Sequence, residues 1–209
     1  MSGKQYWKIL LLCFVSALGN YWLTYFVAGF PLYLDVVFTA AICFAFGFVP
    51  GILTGVLLFP SLGVLLHIYV LRAPVEHVFF SVIFTICVFI EIILICYFRK
   101  KMRQEETVFL EKPSFHSFIA LTPQLLTLTA IACIAVSFAG GVIDFTLTQV
   151  NIQRPYSPED TFMLGLLRNN VPFLASAILS RIPINIVSRF VIIFGGFGLS
   201  ILYRKIVSY

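Results

Sequence analysis

The sequence predicts an all-α membrane protein, a bundle of six transmembrane helices with both termini in the cytoplasm. The chain has 209 residues, of which 60% are hydrophobic and only 11% charged, whereas a soluble domain has about 25% charged residues. Its apolar residues are grouped into runs that approach the roughly 20 residues needed to span a bilayer as a helix. Basic residues form three groups that share one side of the membrane when six helices are counted.

The six apolar runs make up a single transmembrane domain, residues 1–209. Gly29 and Pro31 close the first run, and the pair Pro50 and Gly51 divides the second from the third. The first run lacks a small-x-small cleavage site, so we interpret it as a retained helix and not as a signal peptide. The predicted spans are residues 7–28, 32–48, 52–71, 78–98, 115–139 and 183–203, with a cytoplasmic loop at 99–113 and an outer loop at 140–171.

The orientation follows from the basic residues, which are enriched in cytoplasmic loops. A five-helix count would place the C-terminal basic pair outside, whereas six helices place all three groups inside. We therefore expect a multi-pass protein of the cell (inner or cytoplasmic) membrane. The three groups are Lys4 and Lys8 before or within the first span, Arg99, Lys100, Lys101 and Arg103 after the fourth, and Arg204 and Lys205 at the end of the last.

Several classes of function lack a sequence signal. The chain has no phosphate-binding glycine loop followed by Lys and Ser or Thr, and no recognisable catalytic triad or carboxylate pair. Its five cysteines all lie in apolar runs without a C-x-x-C motif, so we interpret them as small buried hydrophobic residues. We therefore expect no enzymatic activity, no metal, no cofactor and no nucleic-acid partner.

Small residues recur at a spacing of four around the second predicted reversal. Gly47, Gly51 and Gly55 would line one face of a helix, and Ala41 and Ala45 form a second such pair upstream. Small residues at this spacing allow another helix backbone to approach closely. The face is either packed inside the bundle or exposed for docking a partner membrane subunit.

A polar stripe marks the start of the last span. Arg181, Asn185 and Arg189 are spaced by four and share one side of a helix. About 14 residues, roughly 21 Å of helix, separate Arg189 from Arg204 at the inner end. Arg189 is therefore expected below the outer edge of a hydrocarbon core about 30 Å thick. A guanidinium at that depth is costly unless it is paired or faces water.

Two interpretations of the stripe remain open. Arg189 forms a structural ion pair with Asp35 or Asp144, which the topology places near the outer side, or it lines an outward-facing cavity for a small polar or anionic solute. In the second case the segment between the last two spans is a lid that contributes Arg168 and Asn169. Glu91, in the fourth span, is expected to be protonated or paired, and we favour a buried hydrogen bond.

The run PLYLDVVFTAAICFAFGFVPGILTG, residues 31–55, resembles the early helices of the substrate-binding S components of energy-coupling factor (ECF) transporters. These are small, very hydrophobic six-helix proteins with both termini inside. They commonly show an aspartate or other polar residue before a small-residue helix, here Asp35, and then a turn of the FGPxxGxxxG type, here Phe46 to Gly55. The family docks its coupling subunit through an alanine-x-x-x-alanine surface, and Ala41 and Ala45 match that spacing, although in the second span.

The resemblance implies a binding subunit for a vitamin or similar micronutrient. A transmembrane coupling subunit and two cytoplasmic ATPases would be separate chains. On this interpretation Asp35, Arg168, Asn169, Arg181, Asn185 and Arg189 bind the solute, and Ala41, Ala45, Gly47, Gly51 and Gly55 dock the partner. The alternative is a membrane-embedded sensory module, which normally continues into a signalling helix, whereas this sequence stops four residues after Lys205.

Overall fold

The computed structural model describes residues 3–26, 32–66, 75–112, 114–150, 157 and 159–208. All regular structure in these residues is helical, which confirms the predicted all-α class within them. The helices are α1 (Gly3–Phe26), α2 (Val37–Phe46), α3 (Phe48–Ile52), α4 (Phe59–Leu66), α5 (Val75–Lys101), α6 (Arg103–Glu111), α7 (Phe115–Gln149), α8 (Glu159–Arg168), α9 (Phe173–Leu179) and α10 (Ile182–Ser208). A π-helical segment, Leu53–Leu58, joins α3 to α4.

Five apolar helical segments are long enough to cross a membrane, by length and composition alone, and they indicate a multi-pass membrane protein. They are Gly3–Thr24, Phe48–Leu65, Val82–Lys101, Phe115–Gln149 and Phe173–Ser208. The second predicted span, residues 32–48, contains only the 10-residue helix α2. At 1.5 Å per residue this helix extends about 15 Å, half of the hydrocarbon core.

The predicted outer loop differs from the structure at its start. Gly140 and Gly141, interpreted as helix breakers, lie inside α7, which continues to Gln149. A Cβ on Gly141 would lie 2.7 Å from the Cα of Ile178, so this glycine permits close contact with α9 instead of ending a helix. The loop also contains α8. Residues 151–156 of this loop, like residues 27–28 and 67–71 of the first and third predicted spans, lie outside the described residues.

Helix α2 and the segment that follows it form an antiparallel hairpin. The chain reverses at Gly47, whose φ of +95° favours glycine, three residues before the predicted reversal at Pro50. A Cβ on Gly51 would meet the Cys43 side chain, and one on Gly55 would meet Thr39. The two contacts are symmetrical about Gly47, as an antiparallel pair requires.

Helix α2 is the buried centre of the bundle. Every residue from Thr39 to Ala45 is at most 6% exposed, and the helix contacts α1, α5, α10 and the hairpin segment. Its small residues allow this close packing. A Cβ on Gly196 of α10 would lie 2.7 Å from the Cβ of Ala40 and 3.2 Å from the backbone nitrogen of Ala41.

Side chains from other helices satisfy the polar ends of α2. Near its N-terminus, the Asn20 side chain of α1 accepts a hydrogen bond from the Phe38 backbone at 3.0 Å and donates one to Thr39 Oγ1 at 2.8 Å. At its C-terminus, Arg99 donates to the carbonyl of Ala45 at 3.0 Å, and Arg204 donates to that of Phe44. These contacts replace the water that an exposed helix end would use.

The C-terminus of α2 lies at the basic end of the bundle, which we define by Arg99 and Arg204. Arg204 also pairs with Glu106 of the amphipathic helix α6, which places α6 at the same end. Lys8 of α1 donates to the carbonyl of Ile206 in α10 at 3.4 Å, so the first helix begins where the last one ends. Lys8, Arg99 and Arg204, one residue from each of the three basic groups, therefore lie at the same end of the bundle.

The close contact at Gly196 gives a matched test of the packing. Gly196→Ala should lower the thermal midpoint in detergent, because overpacking a tight contact costs about 1–3 kcal/mol. Gly198→Ala lies two residues away on the same helix and meets nothing within 4 Å, so it should leave the midpoint unchanged or raise it through helix propensity. Equal effects of the two substitutions would contradict the α2–α10 contact.

Candidate functional site

A cavity of about 290 Å³ lies in the half of the bundle away from the basic end. Such a volume is near the lower limit for small-molecule pockets. The residues just before α2, the middle of α5 and the start of α10 form much of its wall. The lining residues are Thr24, Tyr33, Asp35, Val36, Phe59, Phe84, Thr85, Cys87, Val88, Glu91, Val136, Ser157, Glu159, Arg181, Asn185 and Arg189.

Arg181 is the centre of a charged cluster on one side of the cavity. It lies in the turn between α9 and α10 and is 5% exposed. Its Nη2 lies 2.6 Å from Asp144 Oδ2 and 2.9 Å from Glu159 Oε1. The guanidinium also lies over the Phe84 ring, 5.1 Å from its centroid. Two carboxylates and an aromatic face thus surround a single buried cation.

Glu159 links this cluster to the segment that precedes α2. Its second carboxylate oxygen accepts a hydrogen bond from the Tyr33 hydroxyl. The backbone N–H of Tyr33 in turn donates to Ser188 Oγ of α10 at 3.0 Å. These contacts connect α8, residues 32–36 and α10, and they fix the non-helical backbone that forms part of the cavity wall.

Arg189 forms a second buried ion pair, with Glu91 of α5. One turn earlier on α10, the Asn185 amide donates to Ser137 Oγ of α7 at 2.8 Å. In the described part of the chain, three buried polar atoms of these lining residues have no hydrogen-bond partner: Glu91 Oε1, Asn185 Oδ1 and Arg189 Nε. Buried polar groups normally have hydrogen-bond partners, so these three atoms are able to form hydrogen bonds with a bound molecule.

Asp35 also lines the cavity, two residues before α2 begins. No hydrogen bond or ion pair joins its carboxylate to another side chain of the described residues. The Asp35 carboxylate is attracted by the positive charge of Arg189 without touching it. It is repelled by the negative charge of Glu91. The N-terminal end of a helix favours a nearby negative charge, so its position beside α2 suits a carboxylate.

The predicted stripe and the aspartate come together in this cavity. Arg181, Asn185, Arg189 and Asp35 all line it. The ion-pair partners differ from the expectation, however, because Arg189 pairs with Glu91, and Asp144 pairs with Arg181. Glu91, expected to be protonated or paired, is paired with Arg189.

The predicted lid residues lie elsewhere. Arg168 and Asn169, at the end of α8, are exposed and are absent from the cavity lining. The Asn169 amide donates to the carbonyl of Gly165 at 2.8 Å, which stabilises its own helix end. Helix α8 contributes Glu159, at its first turn, instead.

The residues assigned to partner docking are internal. Ala41 is 0% and Ala45 6% exposed, and Gly47, Gly51 and Gly55 are buried against Arg99, Cys43 and Thr39 respectively. A docking face must be open to another protein, whereas the chain's own helices cover these residues. They fit the close-packing interpretation of the small-residue spacing.

Sequence reasoning did not assign Glu91, Glu159 or Tyr33 to the site. Glu91 and Arg189 are the charged residues of two apolar runs, and two isolated opposite charges at membrane depth are a signal for a buried pair. Nothing in the sequence brings Tyr33 or Glu159 to the cavity, because their contacts join segments more than 100 residues apart.

The arrangement suits recognition of a polar molecule, with charged and amide groups on an otherwise apolar wall. Within the described residues, no group of three His, Cys, Asp or Glu side chains is placed to hold a metal ion. No protein-family model, curated protein or solved structure matches the chain. The chemistry of the cavity is therefore the basis for assigning a function.

The Glu91–Arg189 pair can be tested by a double-mutant cycle. Arg189→Met or Glu91→Gln alone leaves a buried polar or charged group without its partner, and each should destabilise the protein, by about 3–5 kcal/mol where a full charge is left. The double variant should recover much of this loss. Resistance to unfolding in a denaturing-detergent titration is the measurement, and additive effects of the two substitutions would contradict the pair.

Proposed function

We propose that the protein is the membrane-embedded solute-binding subunit of an ECF-type importer for a vitamin or similar micronutrient. The cavity within the apolar helical bundle, with charged and amide groups on its mainly apolar wall, carries this proposal. Ionisable residues in transmembrane segments are costly and commonly mark solute or ion pathways. Here Asp35, Glu91, Glu159, Arg181 and Arg189 all line one cavity.

The proposal includes six passes through the cell (inner or cytoplasmic) membrane, with both termini in the cytoplasm. In this arrangement residues 32–36 and the short helix α2 together make the second pass. The contact between Lys8 and Ile206 supports placing both termini on one side. The basic end then faces the cytoplasm by the positive-inside rule, and the cavity lies towards the outside, where a solute would enter.

The broken second pass supports a binding role. Non-helical backbone at membrane depth is tolerated where it is covered by protein or lines a cavity, and residues 33, 35 and 36 do line one. Interrupted helices are also typical of solute sites in transporters. A bundle without a ligand to bind would be more stable with a continuous helix at this position.

The solute should be polar and not anionic. Both guanidiniums of the cavity already have carboxylate partners, Asp144 and Glu159 for Arg181 and Glu91 for Arg189. An incoming anion would meet guanidiniums whose charge is already offset by carboxylates, with Arg189 Nε as an unpaired donor among the described residues. A transmembrane coupling subunit and cytoplasmic ATPases, as separate chains, would supply the energy, and this subunit would have no ATPase activity of its own.

Reporter fusions test the proposed topology. A fusion after residue 150 should report an external location, and a fusion after Tyr209 a cytoplasmic one, because α7 ends and α10 ends at opposite ends of the bundle. As a control, the truncated fusion after residue 150 and the full-length fusion after Tyr209 should be expressed at equal levels, so that reporter signals can be compared. A cytoplasmic location for residue 150 would contradict the six-pass arrangement.

Ligand binding is tested by a thermal-shift screen of water-soluble vitamins and their precursors in mild detergent. A true ligand should raise the midpoint progressively with concentration above Kd, because it raises the free energy of unfolding by about 2.7 kcal/mol at 100 times Kd. The folded double variant Glu91→Gln/Arg189→Met should lose the shift, whereas Gly198→Ala, away from the cavity, should keep it. A screen in which no micronutrient shifts the midpoint would contradict the proposal.

A further inference from the structure

We infer that the solute bound in this cavity is an organic cation and that Asp35 is the carboxylate that receives its positive charge. This inference rests on the proposed solute-binding function and adds the chemical class of the solute. It follows from the charges around the cavity, from its size and from the position of Asp35 beside α2.

The charges near Asp35 do not balance. Asp35 and Glu91 are two carboxylates in the cavity wall, and Arg189 is the cation that acts on both. Its guanidinium is joined to Glu91 as an ion pair, which leaves the charge of Asp35 without a direct counter-ion among the described residues. The other lining guanidinium, Arg181, is held by Asp144 and Glu159.

A cation in the cavity would satisfy this carboxylate. Two charges in a protein interior interact more strongly than in water, because the surroundings screen them less. The start of α2 interacts favourably with a negative charge at this position, and a cation would offset the cost of keeping the Asp35 carboxylate away from water. A positively charged solute would therefore gain an ion pair with Asp35 and break none of the pairs already present.

The cavity wall favours an organic cation over a metal ion. Val36, Val88 and Phe59 form apolar parts of the lining, which suit carbon atoms and not the water shell of a metal. A volume of about 290 Å³ exceeds the space that a single ion needs. Glu91 Oε1 and Asn185 Oδ1 are acceptors without a partner in the described part of the chain, and acceptors suit the N–H or O–H groups of a cationic solute.

Choline and its neutral carbon analogue, 3,3-dimethylbutan-1-ol, provide a matched pair of probes. The two molecules have nearly the same shape and differ by one charge. Binding of each to the full-length protein in a non-ionic detergent is measured by thermal shift and by calorimetry. Choline should bind about tenfold more tightly, which corresponds to roughly one counter-ion contact.

Asp35→Asn should remove this charge preference, so that the two probes bind equally, because the amide keeps the shape but loses the charge. Glu111→Gln removes a carboxylate from the exposed face of α6 and should preserve the preference. Asp35→Ser provides a second variant should the asparagine form fail to fold, and the wild-type preference is measurable without either.

The outcomes separate the two proposals. Equal binding of both probes by the wild-type protein, or a preference that survives Asp35→Asn, would overturn the cation inference but leave the solute-binding function intact. The same holds if a neutral or anionic micronutrient binds and choline does not. Absence of binding by both probes and by the whole micronutrient panel would overturn both.

Discussion

The structure depends on the need to satisfy the ends of a short helix inside an apolar bundle. Helix α2 is too short to bring both of its ends to water, and its unpaired backbone groups would each cost several kcal/mol in a hydrocarbon environment. Asn20 at one end, and Arg99 and Arg204 at the other, provide the missing hydrogen bonds. These contacts require α1, α5 and α10 to surround α2 at fixed depths.

The cavity is a consequence of this arrangement. Because α2 begins only at Val37, residues 32–36 are not helical and leave space between α5 and α10. Close packing along the rest of α2, where Gly196 contacts Ala40, confines that space to one half of the bundle. The same helix is thus closely packed at the basic end and leaves space at the other end.

The charged side chains also fall into two groups, one at the basic end of the bundle and one around the cavity. At the basic end, Arg99 and Arg204 are occupied with the α2 carbonyls and Glu106. In the cavity, Arg189 joins α10 to α5, and Arg181, in the turn before α10, forms ion pairs with α7 and α8. Removing charges from water is expensive, and pairs of this kind are retained where specific geometry or recognition is needed. Their concentration around the cavity, together with Asp35, makes this region the candidate functional site.

The sequence by itself determined the class of the molecule, because a chain with so few charges and such long apolar runs is soluble only in lipid. It also determined that Arg181, Asn185 and Arg189 share a face, since a spacing of four follows from helix geometry. Only the tertiary structure decided that Glu91 is the partner of Arg189, that Gly51 and Gly55 pack internally, and that Gly141 lies within a helix. These facts depend on which helices are neighbours and at what depth, and local periodicity carries no information about either.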